Sequence, residues 1–481
     1  MPTRTRSLRS LPAVEAVLQQ PPIVAALAEL PRALVVEAVR AELAAARAGM
    51  RNGARPTLKR AATASSRAAT VAPDVAALAA RALERARGEH RPSLRRVLNG
   101  SGIVLHTNLG RAPYSDAARR AIDQASRGYL NLEFDLESGK RGERGEGCER
   151  WLTRLTGAEA ALVVNNGAGA ILLALSAIAA GKSVIVSRGE LVEIGGAFRV
   201  PDVMEKSGCR LLEVGTTNRT HLRDYEKALA RSAGEIGAIL RVHPSNFRVQ
   251  GFTARPELPE LARLARRARV PLIEDLGSGA LVDLSDLGLE PEPTVRESLN
   301  AGVDVVTFSG DKLLGATQAG LLLGRRKLIQ LARKDPLARA LRVDKLTLAA
   351  LEATLSSYGD PARARSEIPA LRMLHTTPET LERRAQLLAD AIRQRLPDFE
   401  VGIERGDGEV GGGAMPLTRL PGWVVTLVHV ERTPDVIDRW ARASDPPVIG
   451  YIRTGMFRLD VRTLTDAEVT EVADALARAH R

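Results

Sequence analysis

Apolar residues along the chain change their spacing twice, and the two changes divide it into three parts. Over Leu11–Gln20 and Pro31–Arg47, valine, leucine and alanine recur at helical intervals among charges, which predicts a small helical module, and Val75–Arg87 reads as another helix leading into the body. From about Arg96 to Tyr358, short apolar runs rich in β-branched residues alternate with helical ones. The clearest runs are Ala161–Val164, Val184–Val186, Leu211–Val214, Ala238–Val242, Pro271–Ile273, Val303–Phe308 and Ala319–Leu323. Such alternation predicts an α/β domain with a mostly parallel sheet covered on both faces. Its ligand site is expected at the carboxyl ends of the strands. After Pro361 the pattern becomes a helix, Pro378–Arg395, and short strands at Trp423–Val430, Val448–Tyr451 and Met456–Leu459. Gly411-Gly412-Gly413 reads as a flexible turn between that helix and those strands. The expected domains are a helical module at 1–70, a linker at 71–98, a large domain at 99–360 and a smaller α+β domain at 361–481.

Composition narrows the class. A chain of 481 residues, 44% hydrophobic and 26% charged, is that of a globular protein with room for several cores. No apolar run reaches membrane-spanning length, and MPTRTRSLRSLP lacks an apolar signal core, so no membrane partner is expected. Cys148 and Cys209 form no CxxC and no metal-ligand cluster, so no metal is expected. Two incidental thiols fit a reducing cytoplasm. Most of the formal charge of +12 sits in residues 1–100, which hold 17 Lys/Arg against 7 Asp/Glu. A basic appendage on a nearly neutral body suits a polyanionic partner. An arginine-rich composition throughout accounts for the same imbalance. Gly49–Ser66, with RNGARPTLKRAATASS, reads as a basic linker of small residues.

Three segments carry candidate chemistry. Val303–Phe308 ends in Ser309-Gly310-Asp311-Lys312. A lysine at the mouth of a strand, fenced by small residues, is placed to lose hydration, which lowers its pKa and frees the amine to form a Schiff base. Ser309 is placed to hydrogen-bond a phosphate. Val270–Asp283 puts Glu274-Asp275 after a strand, one crossover's length before Lys312. Asp275 can then pair with a pyridinium nitrogen while Lys312 holds an aldehyde, the requirement of pyridoxal 5′-phosphate (PLP). In the third, Ala161–Val164 gives way to Asn165-Asn166-Gly167-Ala168-Gly169 and an apolar helix, a cup for an anion at a helix N-terminus. It is not GxGxxG, which argues against a nicotinamide cofactor. Taken singly, Lys312 also reads as a surface lysine and Asp275 as a helix N-cap. The order cup, aspartate, lysine resembles the layout of the aminotransferase-like class of PLP enzymes.

Longer motifs make a narrower resemblance. Asn99–Pro113 (NGSGIVLHTNLGRAP), Val163–Ala168, Ser187–Phe198 (SRGELVEIGGAF), Glu213–Thr220 (EVGTTNRT), Ile273–Ala280 and Phe308–Gly315 resemble bacterial selenocysteine synthase, the seryl-tRNA(Sec) selenium transferase family. The likeness runs from Leu8–Leu18 to Arg462-Thr463-Leu464. It implies conversion of seryl-tRNA(Sec) to selenocysteinyl-tRNA(Sec) by loss of the serine hydroxyl and addition of selenium from selenophosphate. It implies Lys312 and Asp275 as catalytic residues, with Asn166, Gly167, Ala168, Ser309 and His243 at the PLP.

Arg111 in the NLGRAP turn, with Arg339 and Arg342 three apart in DPLARALRVDK, resemble the family's selenophosphate-binding arginines. A pair three apart on a helix shares a face, and guanidinium groups hold such anions bidentately. A solvated arginine face gives the same spacing. His243 follows a strand and suits the cofactor ring or plain packing. Gly147-Cys148 departs from the family pattern, where bulkier residues stand. The resemblance further implies a tRNA-gripping N-terminal module, no DNA partner, and a homo-oligomer, a decamer built from dimers. Two rival readings are a PLP lyase or aldolase acting on a free amino acid or amino sugar, and a tRNA-binding protein whose fold has lost catalysis.

Overall fold

The computed structural model describes residues 11–52, 74–194, 198–232, 234–288 and 291–480. It divides into two compact units, one ending at Arg96 and one running from Val97.

Among the described residues the first unit holds four helices: α1 (Val14–Leu18), α2 (Pro21–Ala26), α3 (Arg32–Asn52) and α4 (Val75–His90). α1 falls inside the expected run Leu11–Gln20, and α2 follows it as a helix the spacing does not predict, opened by Pro21-Pro22 in its first turn, where proline is tolerated. Val35, Val39 and Leu43 lie four apart on α3 and are buried. They meet the Leu78, Ala82 and Ala86 stripe of α4 in one small core. Asp74 caps α4 by accepting from the Ala76 amide. Helix α4, read from the sequence as leading into the body, therefore packs within this unit. Gly49–Asn52, expected as linker, continues α3. The rest of the basic stretch, from residue 53 on, lies outside the described residues.

The second unit is built on a seven-stranded sheet: β1 (Ala160–Val164), β2 (Ser183–Ser187), β3 (Arg210–Val214), β4 (Ile236–Val242), β5 (Leu272–Gly277), β6 (Val305–Ser309) and β7 (Gly320–Gly324). Their spatial order is β1-β7-β6-β5-β4-β2-β3. Only β7 runs antiparallel, between β1 and β6. Every residue of β2, β4 and β7 is buried, as a sheet with both faces covered demands. Two apolar cores result, one on each face. The helix Gly167–Ala179 lies in the second of them.

A third core belongs to the C-terminal part. There β8 (Phe399–Glu409), β9 (Arg419–His429), β10 (Tyr451–Arg453) and β11 (Met456–Asp460) form an antiparallel sheet in the order β8-β9-β11-β10. The helix Pro378–Arg395 and the C-terminal helix Asp466–His480 cover it. Two expectations are corrected here. Gly411–Gly413 lies at the tip of the β8–β9 hairpin, because Phe399–Glu409 is itself a strand. Its polar, glycine-bearing sequence IERGDGE hides the apolar alternation. The expected run Val448–Tyr451 breaks at Gly450. Val448-Ile449 pairs in parallel with Leu98-Asn99, and Tyr451 begins β10. The helices Pro361–Glu367 and Pro369–Leu374 contribute to the larger core, and the third core takes up its helical residues from Leu381.

Candidate active site

β5 is longer than its apolar run. It continues through Glu274 and Asp275 to Gly277, so Asp275 stands inside a strand rather than capping a helix. Asp275 lies opposite Thr307 of β6, and Thr307 Oγ1 donates to Asp275 Oδ1 at 3.0 Å. The next step of the ladder is a bulge at Leu276, which bends the strand end where the site opens. The Asp275 carbonyl accepts from the His243 amide at 2.9 Å, extending the ladder beyond β4. Burial raises the Asp275 carboxyl to about 6, against the lowering pull of Thr307 and of Lys312.

Lys312 follows β6 in a tight turn and is 6% exposed. The turn is fixed from several sides. Gly310 N donates to Ala319 O at 2.8 Å, Leu313 N to Ser278 O at 3.0 Å, and Tyr358 OH to Leu314 O at 2.8 Å. Burial holds the Lys312 amine below its ordinary value. Asp275 works against that shift and the nearby Arg111 guanidinium adds to it. The structure thus joins Asp275, in β5, with Lys312, in the turn that follows the adjacent parallel strand β6.

The cup lies across β7 from them. Asn166 caps the helix Gly167–Ala179, its Oδ1 accepting from Gly169 N at 2.7 Å. A Cβ on Gly167 would stand 2.4 Å from Ser309 Oγ, so this glycine lets the cup and the end of β6 touch. The helix N-terminus at Asn166, Gly167 and Ala168 and the Ser309 hydroxyl therefore lie together, an arrangement suited to an anion. His243 sits beside Asp275, and its Nε2 lies 3.5 Å from the buried Glu292.

The three arginines divide. Arg111 adopts a left-handed backbone, φ +60°, a conformation non-glycine residues keep only where surroundings enforce it. Its Nη1 donates to Asp311 Oδ2 at 2.7 Å, one residue from Lys312. Arg339 is exposed in the last turn of the helix Pro336–Ala340, and Arg342 falls outside that helix, so the expected shared helical face is not formed. The helix ends because Leu341 turns out of it and Asp344 caps the next one. Leu341 O accepts from Asn165 N at 3.0 Å, which ties the segment carrying both arginines to the cup. Arg342 Nη2 lies 3.6 Å from Glu133.

Sequence reasoning missed Asp311 and Thr307, which hold Arg111 and Asp275. It also missed the buried Glu190–Arg241 pair at 3.2 Å, with Glu190 Oε2 accepting from Val242 N at the end of β4. The signal was a charge inside an otherwise apolar strand, Arg241 in AILRV. Gly147-Cys148, the departure from the family pattern, has a packing cause. A Cβ on Gly147 would stand within 2.3 Å of the Glu352 carboxylate, and Cys148 is buried with its thiol pushed up by desolvation.

Known proteins resemble this chain closely. The L-seryl-tRNA selenium transferase family matches residues 97–465, and the N-terminal family of selenocysteine synthase matches residues 8–47. The L-seryl-tRNA(Sec) selenium transferase of Geobacter sulfurreducens is 48% identical over 97% of this chain and 98% of that protein. That of Nitratidesulfovibrio vulgaris is 53% identical over 81% and 82%, and that of Moorella thermoacetica 47% over 98% and 97%. Among solved structures, D-glucosaminate-6-phosphate ammonia-lyase superposes with a TM-score of 0.56 at 21% identity, covering 80% of this chain and 96% of that one, a likeness of fold. With the family spanning the whole second unit's site and its relatives matching nearly end to end, the chain belongs to the L-seryl-tRNA(Sec) selenium transferase family.

Proposed function

We propose that this chain converts seryl-tRNA(Sec) to selenocysteinyl-tRNA(Sec) with PLP as cofactor and selenophosphate as selenium donor. The observation that carries the chemistry is the desolvated Lys312 on a turn after β6, with Asp275 half-buried on the adjoining strand β5. The residues present fit PLP. Lys312 would hold its aldehyde carbon, Asp275 its pyridinium nitrogen, and Asn166, Gly167, Ala168 and Ser309 its phosphate, with His243 beside the ring. Bound there, PLP supplies an electron sink for negative charge at the serine Cα.

The chain's own residues supply the rest. Lys312, its amine already lowered, takes the Cα proton. The Cα proton and the serine hydroxyl leave together as water, and selenium takes the place on the β-carbon as water cleaves its bond to phosphorus and releases phosphate. Arg111, Arg339 and Arg342 hold the phosphate part of the donor. Arg111 reaches the site through Asp311, and the other two lie on the segment tied to the cup.

The first unit is the tRNA-gripping module, a reading supported by the family match at 8–47 and the basic composition of residues 1–100. Exposed Tyr129, Leu130, Phe134 and Leu136 on one short segment support a homo-oligomer, and the family points to a decamer of dimers. The cytoplasm is the place of this reaction. Among the described residues no helix is long and apolar enough to cross a membrane.

The test is the visible spectrum of the purified protein, titrated with seryl-tRNA(Sec) and separately with free serine. A yellow band that changes only with the charged tRNA is expected. A response to free serine alone points to a small-molecule lyase, and no band after added PLP overturns the enzymatic reading. Lys312→Ala should abolish both the band and turnover. Turnover retained in that variant removes Lys312 from the mechanism.

A further inference from the structure

Glu292 is a buried acid that the proposed steps leave unused. It stands in Pro291-Glu292-Pro293, where the following proline favours an extended backbone. Two residues on, Thr294 caps the helix Val295–Ala301 and pairs in parallel with Ala280. Leu313 N donates to Ser278 O, so the turn carrying Lys312 and the segment carrying Glu292 are fastened to the same stretch after β5. Glu292 is 8% exposed, and its Oε1 is buried with no hydrogen-bond partner. Such an oxygen weakens a fold, because burial strips it of water and nothing takes the water's place. Among the described residues His243 is the only basic side chain within 4.0 Å of that carboxylate, its Nε2 lying 3.5 Å from Oε1.

His243 has little freedom except in its ring. Its amide donates to Asp275 O at 2.9 Å and its carbonyl accepts from Ser245 N at 2.8 Å, which ties its backbone to β5 and to the turn after β4. An imidazole held this way is turned by what its nitrogens meet, and the partner of one nitrogen decides where the proton sits. A carboxylate opposite Nε2 keeps the proton there, whether the ring is neutral or charged. At 3.5 Å the pair is an ion-pair contact, longer than a hydrogen bond, and contacts of this kind tighten when the reacting complex forms. The charges around Lys312 place Glu292 in the same site. Burial holds the Lys312 amine down, and the acids that pull it back are Asp275, Asp311 and Glu292.

We infer that Glu292 is a positioning residue that acts through His243: its carboxylate accepts a hydrogen bond from Nε2–H and fixes the imidazole beside the cofactor ring. The fold keeps a destabilising acid at this place for what it does to the histidine. The inference rests on the reading that PLP is held at Lys312 with His243 beside it.

The test uses the full-length protein, stripped of cofactor with hydroxylamine, and two measurements: the affinity for added PLP by absorbance titration, and the melting temperature of the stripped protein. Glu292→Leu should weaken the affinity about tenfold, the effect of one lost hydrogen bond to a charged group. The same variant should melt higher, by about 2 °C, because an unpaired buried acid has been removed. A residue that only packs would lower both. Glu292→Gln, whose amide oxygen still accepts from Nε2–H, should keep the affinity within about threefold of the wild type. In a His243→Ala background Glu292→Leu should change the affinity by less than about twofold. A loss that persists without the histidine overturns the inference, as does wild-type affinity in Glu292→Leu or a fall in its melting temperature. Failure of the wild type to take up PLP removes the cofactor reading itself, whereas uptake with no coupling between Glu292 and His243 removes this inference alone.

Discussion

In its proposed role Asp275 has to stay charged against a cofactor nitrogen while sitting where charge is disfavoured. Burial lifts its carboxyl to about 6, and the Thr307 hydroxyl, donating at 3.0 Å, is the largest influence holding it down. Removing that donor with Thr307→Val leaves shape nearly unchanged and lets the pKa rise further, so more of the carboxyl is protonated between pH 6 and 7. The acidic limb of the pH–rate profile should move to higher pH by up to about one unit, with less loss at pH 8. An unmoved limb assigns it to another group. Thr307 was unreadable in VDVVTFSGDK, since a threonine in a β-branched run is ordinary strand composition. Lys312 was legible because glycine, serine and aspartate interrupt the apolar run beside it. Arg111 was legible by resemblance to known motifs, but its partner Asp311 was not, because a contact between residues 111 and 311 has no local signature.

Single elements explain the cup. The helix Gly167–Ala179 begins with a side-chain cap from Asn166 and offers unpaired amides beyond it. Asn166→Ala should cost about 1 kcal/mol of stability through the lost cap. The same change should weaken cofactor retention, measured as the absorbance kept after dialysis, because the first turn frays at the proposed phosphate cradle. Full retention after dialysis separates the cap from the cradle. Apolar runs located all seven central strands, of which β2, β4 and β7 are buried throughout, whereas β8 went unseen because IERGDGE carries a half-exposed hairpin. The Arg339–Arg342 face failed for an element-level reason: the helix is five residues long and ends between them. Spacing of three implies a shared face only while the helix lasts.

At the scale of the molecule, the chain divides into a helical unit with its own core and a second unit with three. A chain beginning at Val97 should keep the cofactor band and lose most binding of seryl-tRNA(Sec), with the full-length protein's affinity falling steeply as salt rises. Equal binding by the shortened chain moves the tRNA contact to the second unit. The N-terminal helices, the mostly parallel sheet and the C-terminal antiparallel sheet were legible from the changes in apolar spacing. The joining of cup, aspartate and lysine was legible only as an order along the chain, because their meeting depends on which strand fills the gap between β1 and β6. That strand is β7, the last of the sheet to be synthesised. A nascent chain therefore leaves the ribosome with β1 as an orphan edge through the synthesis of five further strands, unable to pair until Gly324 has emerged. Cofactor capture has to wait for the same moment, so a ribosome stalled before Gly324 holds a chain with an exposed apolar strand and nowhere to put pyridoxal phosphate.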